Sequence, residues 1–236
     1  MRCALTIAYN GTHFLGSQVQ KETTNTIFGQ LEKALLKLGI DFRVIASGRT
    51  DKGVHATGQV CHIDLPPFWN DLIKLKKVLN EMLPPSIRII KAKQVDSDFH
   101  ARYSAKKRVY RYFVKNDNTN PFENDFITCL PNINFQKIQE NIKLFTGEHD
   151  FKQFMKTGSD VTCTRRIIYK SFAYKYKDYI ILVFESNGFL RSQIRLMVGA
   201  LLQLGSKEIL EQLASTAKHK IKPAPSNGLY LARIKY

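Results

Sequence analysis

Apolar residues recur along this chain at two periods, and the alternation between them outlines the fold. Ala4 to Tyr9 reads as a strand, followed by a loop rich in glycine and polar residues. Leu31, Leu35 and Leu38 then fall at i, i+4 and i+7, which predicts a helix over about Thr26 to Leu38 with Gly39 placed to stop it. A strand near Val44 to Ala46, the loop Ser47 to Gly58 and a strand through Val60 to Leu65 come next, and Pro66-Pro67 ends the last. Leu72, Leu75 and Leu79 predict a second helix over Asn70 to Met82, closed by Pro84-Pro85.

The second half continues in the same style. Val109 to Val114 reads as a strand, and Phe135, Ile138, Ile142 and Phe145 form a helical stripe. Lys170 to Tyr176 and Tyr179 to Glu185 flank the short turn Lys177-Asp178 and predict a hairpin. Helices are expected from Leu190 to Leu204, with Gly205 behind, and from Lys207 to Ala214. Leu229 to Tyr236 reads as a final strand, and Lys218 to Lys222 as a basic surface loop. Helices set among strands and hairpins give an α+β protein with mixed or antiparallel sheets. The division falls near Ala101 to Lys107, giving subdomains 1–103 and 104–236.

Composition narrows the function. Hydrophobic residues make up 44% of the 236, enough for a folded core. No run approaches the roughly 20 apolar residues of a membrane helix, and the start turns polar after Ala8, so the expected location is the cytoplasm. Cys3, Cys61, Cys129 and Cys163 are scattered without zinc spacing and read as reduced thiols, with no metal site expected. Thirty-six Lys and Arg against 20 Asp and Glu leave a formal charge of +16. Such an excess repels itself in the compact state and is matched by polyanions, of which a phosphate backbone is the natural example.

The densest chemical signal is Ala46 to Val60, ASGRTDKGVHATGQV. Its three glycines permit turns and close approach by a ligand. Arg49 and Asp51, two apart, share a side of extended backbone. On spacing alone such a pair is more often a surface salt bridge than a catalytic pair.

This segment resembles the catalytic motif of the TruA family of tRNA pseudouridine synthases, GRTDxGVH followed by GQV. The resemblance extends in order along nearly the whole chain. It includes Tyr9-Asn10-Gly11-Thr12 with Phe14, Gly16 and Gln18, Leu79 to Pro84 with Ile87, and Asp98-Phe99-His100-Ala101-Arg102 with Ser104-Ala105. Arg108 to Tyr112, Gly147 to Phe151, Gly188-Phe189-Leu190 with Arg195 and Val198-Gly199, and Gly228 to Leu231 complete it. One departure is Ser17, where the family usually has an aromatic residue before Gln18. Another is Val109, where relatives often carry a polar residue.

The resemblance implies a pseudouridine-synthase fold of two α/β subdomains with mixed, largely antiparallel sheets facing a basic cleft. It implies an isomerase that converts uridine to pseudouridine at positions 38, 39 and 40 in the anticodon stem-loop of tRNA, without cofactor, and works as a homodimer. The absence of a P-loop or dinucleotide fingerprint fits a reaction with no redox step. Asp51 is implied as the catalytic aspartate, Arg195 as the cation that pairs with it, and Tyr110 as the ring stacked on uracil. Tyr112 shares the face of Tyr110, which is preferred on motif position. Arg49 is implied to help extrude the target nucleotide and Leu190 to form an apolar wall. His100 and Arg102 are implied as RNA contacts or as packing at the junction, and His55 and Gln59, with Thr57, as supports of the loop. Two other readings stay open: a catalytically inactive RNA-binding protein of the same fold, and a synthase acting on another RNA site.

Overall fold

Cys3, Leu5, Ile7 and Tyr9 point inward along the first strand, β1 (Arg2–Tyr9), and the residues between them are partly exposed, the period-2 pattern of a half-buried strand. The computed structural model describes residues 1–116, 121–156, 158 and 161–236. The predicted first helix is α1 (Ile27–Lys37): the Thr26 hydroxyl accepts the Gly29 amide at 3.1 Å to cap it, and Gly39 at φ +72° ends it. The strand β2 (Ile45–Ala46) lies antiparallel to the longer β3 (His55–Asp64), with Ala46 opposite Cys61. The latter starts at His55 rather than Val60, so the second half of the motif is strand and not loop. Asp71 caps α2 (Leu72–Met82), receiving the amides of Ile73 and Lys74, and buries Leu75 and Leu79. The strand β4 (Ile87–Gln94), which the pattern did not predict, pairs antiparallel with β1.

The next strands pair chiefly with one another. The strand β5 (Lys107–Lys115) carries a short parallel partner, β6 (Thr128–Cys129). The stripe from Phe135 becomes α3 (Phe135–Asn141) and then tightens into a 3-10 turn, Ile142–Phe145, that keeps Ile138, Ile142 and Phe145 buried. A polar strand, β7 (Gly147–Asp150), runs antiparallel to β8 (Arg165–Tyr176). The predicted hairpin joins β8 to β9 (Tyr179–Ser186), with Tyr176 opposite Tyr179 and Lys177 at φ +53° in the turn. Along its whole length β5 pairs antiparallel with β9, from Arg108 opposite Ser186 to Lys115 opposite Tyr179. The long helix starts later than expected: α4 spans Gln193–Gln203, because Ser192 at φ +58° interrupts the backbone and leaves Leu190 in the preceding turn. After Gly205 comes α5 (Ser206–Ala214). The core of this part holds Tyr112, Phe145, Phe151, Phe154 and Phe184.

The final strand, β10 (Leu229–Lys235), lies parallel to β3, with Tyr230 opposite His55. By density of contacts the chain divides into two units, Met1–Lys106 with Tyr230–Tyr236 and Lys107–Leu229. Both are α+β, with antiparallel pairs dominant. No helix among the described residues is long and apolar enough to cross a membrane.

Candidate active site

The loop between β2 and β3 is held from beneath by buried polar groups. Ser47 donates its amide to the Val60 carbonyl at 2.8 Å and its hydroxyl to Gln59 Oε1 at 2.6 Å. Gln59 is fully buried, and its Nε2 returns a bond to the Gly48 carbonyl at 2.9 Å. Thr50 then turns inward: its hydroxyl shares a 2.8 Å hydrogen bond with the Tyr9 phenol. Burial pushes that phenol up to about 12, so it stays protonated at neutral pH. The opening loop, as the Gly11 to Gln18 segment, closes over the same place. Ser17 receives the Thr50 amide on its hydroxyl at 2.9 Å and gives its own amide to the Thr50 carbonyl at 3.1 Å.

With Thr50 anchored inward, its neighbours face out. Arg49 is exposed and Asp51 half-buried. A tight turn follows, in which the Val54 amide reaches the Asp51 carbonyl at 3.2 Å and Gly53 adopts φ +77°. Side chains at Gly53 would strain that turn, which explains the glycine.

His55 is buried and supports the loop. Its Nδ1 accepts the Gly11 amide at 3.1 Å, which puts the proton of the neutral ring on Nε2. The ring stacks on Tyr230 at 4.7 Å between centroids. Gly11 and Gly58 are required by close backbone approach: a Cβ would stand 2.0 Å from the Val54 oxygen in the first case and 2.4 Å from the Ala232 oxygen in the second.

In the other unit, Tyr110 and Tyr112 share a face of β5 but not a role. Tyr112 is fully buried, with its hydroxyl between the Thr128 hydroxyl at 2.7 Å and the Pro225 carbonyl at 2.9 Å. Tyr110 is half-buried, and its ring meets Phe189 edge-on at 5.3 Å. The motif Gly188-Phe189-Leu190 thus touches Tyr110 through its phenylalanine, while Leu190 itself is buried and bonds Gln193 through its amide at 2.8 Å. Arg195, half-buried on α4, gives its Nε to the Ala224 carbonyl at 2.7 Å, and the Ala224 amide returns a bond to the Arg195 carbonyl at 2.9 Å. Its guanidinium also acts electrostatically on the Tyr112 phenol, whose ionisation burial pushes far upward.

His100 and Arg102 lie on a tight turn of the first unit. His100 Nδ1 accepts the amides of both Arg102 and Tyr103 at 3.2 Å, and its ring stacks on Tyr103 at 4.3 Å. It is therefore a capping residue of its own turn. Arg102 is exposed, with its guanidinium 5.6 Å from the centre of the Tyr103 ring. Beside them the buried His62 accepts the Ala101 amide at 3.1 Å, and burial lowers it to about 4.

Asp51, Arg49, His55, Gln59, His100 and Arg102 belong to one unit and Tyr110, Leu190 and Arg195 to the other. Sequence reading placed Tyr9, Thr50 and Phe189 inside family motifs and marked Ser17 as a departure, but gave none of them a part: Tyr9, Ser17 and Thr50 fix the loop, and Phe189 flanks Tyr110. No group of three or more His, Cys, Asp and Glu able to hold a metal occurs among the described residues.

The sequence matches the tRNA pseudouridine synthase family over residues 5–104 and 142–236. It is 37% identical to "tRNA pseudouridine synthase A" of Wolinella succinogenes, over 98% of this chain and 92% of that protein. It is also 37% identical to the protein of the same name from Helicobacter pylori, over the whole of both chains. Among solved structures, a Cbf5-Nop10-Gar1 complex aligns with 85% of this chain and 45% of its own, at 11% identity and a TM-score of 0.40.

Proposed function

The chain belongs to the tRNA pseudouridine synthase family, and we propose that it isomerises uridine to pseudouridine at positions 38, 39 and 40 of the tRNA anticodon stem-loop, with Asp51 as the catalytic carboxylate. As an isomerase it breaks the C1′–N1 bond, turns the uracil within the site, joins C5 to C1′, and releases the C5 proton while N1 takes one up. Nothing is oxidised, reduced or added.

Each residue has a part derived from its chemistry. The Asp51 carboxylate acts at the ribose, either attacking C1′ to form an ester or removing the 2′ proton to give a glycal. Arg195 supplies its counter-charge, keeping it ionised and oriented. Tyr110 stacks on the uracil, its hydroxyl near the face from which C5 loses its proton. Arg49 occupies the space of the extruded nucleotide, where a cation near phosphates offsets part of an unstacking cost of a few kcal/mol, roughly. Leu190 walls the pocket, His100 and Arg102 meet the RNA, and His55 and Gln59 hold the loop. Subdomain 1–103 thus brings the catalytic loop, and 104–236 brings Tyr110, Leu190 and Arg195. The protein acts in the cytoplasm as a homodimer, and it reads tRNA shape through its phosphates.

The observation that carries this reading is the anchored loop. Buried bonds to Thr50 and Gln59 present Arg49 and Asp51 outward on a frame that binding need not reorder. The difference between Tyr110 and Tyr112 supports the assignment of the ring, since a fully buried Tyr112 has no face to offer a base.

The test is tritium release from tRNA labelled at C5 of uridine, for the wild type and Asp51→Ala. Release by the wild type alone, with tRNA binding kept in both, is expected. Equal release removes Asp51 from the mechanism, and none from either, despite binding, makes the protein an inactive binder or the enzyme of another RNA.

A further inference from the structure

Tyr103 stands in water on a turn whose backbone is fixed at every amide from His100 to Ser104. The His100 amide bonds the Ser104 hydroxyl at 3.0 Å, and the Ser104 amide returns to the His100 carbonyl at 2.9 Å. Between them the Ala101 amide goes to His62, and those of Arg102 and Tyr103 go to His100. The residue so held is 76% exposed. It is also the one position between Asp98 and Ala105 that the family motif leaves open.

Beneath Tyr103 a row of rings runs down into the core. His62 is fully buried, and its ring meets that of His100 edge-on at 5.1 Å. His100 is half-buried and stacks on Tyr103 at 4.3 Å, with 29° between the planes. Phe99 steadies the row from the side: it lies 6.1 Å from His62 and 4.8 Å from Tyr236, whose hydroxyl holds the Ala101 carbonyl at 2.9 Å. With one face of Tyr103 laid on His100, its exposure belongs to the other face and the edges. All of these residues lie in the unit that carries Asp51.

Holding a large side chain still in water costs conformational entropy and returns little burial. A ring set in advance loses nothing more when a flat partner covers it. A single ring is far smaller than a protein interface, which takes roughly 20–30 residues a side, but it matches one nucleobase. The charge on the ring agrees. The Arg102 guanidinium is 5.6 Å from its centre, and Lys106, three residues on, is exposed. Asp96 and Asp98 are exposed on the approach to the turn, and Asp98 acts on Arg2, which also holds Asp64 through two bonds at 2.8 Å.

We propose that Tyr103 is a stacking platform for an unpaired nucleobase of the tRNA, with His100 as its support and Arg102 beside it. Every base has a π-face, so such a contact is indifferent to base identity and adds affinity through ring area instead of charge. The inference rests on the tRNA substrate of the preceding reading.

Equilibrium binding of an unmodified tRNA transcript to the full chain, over a range of salt, is the test. Tyr103→Ala should weaken binding roughly 5- to 150-fold, the range of one base–aromatic stack. The slope of log affinity against log salt should stay as it is, because no phosphate contact is lost. Tyr103→Phe should restore most of the affinity, since the ring carries the contact. Inorganic polyphosphate, a polyanion without bases, should bind Tyr103→Ala as tightly as wild type, which also shows the variant to be folded. Ile73→Ser, at an 83% exposed position on α2, should alter neither affinity. Unchanged tRNA binding by Tyr103→Ala, an equal loss for polyphosphate, or a Tyr103→Phe as weak as the alanine variant overturns the platform. Unchanged tRNA binding with lost self-association in sedimentation makes the ring a protein contact instead. Tritium release from C5 separates this from the isomerase reading. A wild type that binds tRNA through Tyr103 and releases no tritium overturns the isomerase and keeps the platform. Release by a wild type whose affinity is independent of Tyr103 does the reverse.

Discussion

Ser17 and Thr50 exchange two backbone-directed hydrogen bonds, one through the Ser17 hydroxyl and one through its amide, and so pin the peptide that separates Arg49 from Asp51. The family usually places an aromatic residue at Ser17, which could not accept the Thr50 amide. The serine is completely buried, so no water replaces it. Ser17→Ala leaves a buried N–H without its acceptor, at a cost of about 1–3 kcal/mol. For a chain of this length that lowers the unfolding midpoint by roughly 5 °C. Calorimetry measures it, and the rate of C5 tritium release should fall with tRNA affinity unchanged.

Tyr110 and Tyr112 should separate under the same change. Tyr112→Phe removes a hydroxyl shared by Thr128 and Pro225 and should destabilise the fold by about 1–2 kcal/mol. Tyr110→Phe should slow turnover by roughly 10²–10⁴, the hydroxyl handling the C5 proton. Denaturant titration and single-turnover kinetics on both variants distinguish the two outcomes.

Gly11→Ala places a methyl 2.0 Å from the Val54 carbonyl oxygen, backbone against backbone. No rotamer relieves it, so the opening loop must lift from the catalytic loop. A loss of at least about 3 kcal/mol is expected, read as low yield or a depressed melting temperature. Wild-type stability in Gly11→Ala would show that the two loops are not in contact in solution.

His62 gives a pH dependence of stability. In the folded protein burial lowers it to about 4, from 6.5 in the unfolded chain. Between those values the unfolded chain binds the extra proton, so stability is complete above pH 6.5 and declines as pH falls towards 4. His62→Gln should flatten this part of the stability profile, measured by urea unfolding across that range.

Much of the helical frame was legible because leucine spacing and capping residues agree. Thr26, Asp71 and Gly39 mark real helix ends. The strands were legible only where apolar residues alternate. In β7 the sequence is Gly-Glu-His-Asp, with no hydrophobic period to read, and β4 follows two prolines that read as a terminus. His55 and Gln59 belong to strand and core because β1, β2 and β10 surround them, a long-range fact that polar side chains conceal. For the proposed site, motif resemblance singles out Asp51, Tyr110 and Arg195. Their supports escaped because Tyr9, Ser17 and Thr50 act through buried hydrogen bonds, and spacing carries no trace of such bonds.

The parallel pairing of β10 with β3 also governs the order in which the protein comes into being. Tyr230 aligns with His55, so the strand that bears the buried motif residues lacks a neighbour until the ribosome has made everything in between. The unit Lys107–Leu229 is contiguous and can condense while synthesis continues. The unit bearing Asp51 cannot close its sheet until that intervening stretch has emerged, and a nascent chain stalled before residue 229 would display the GRTDKGVH loop on an unfinished scaffold. Timing thus adds a safeguard: the sheet beneath the catalytic loop gains its last strand only in a chain whose Tyr110 and Arg195 have already been made.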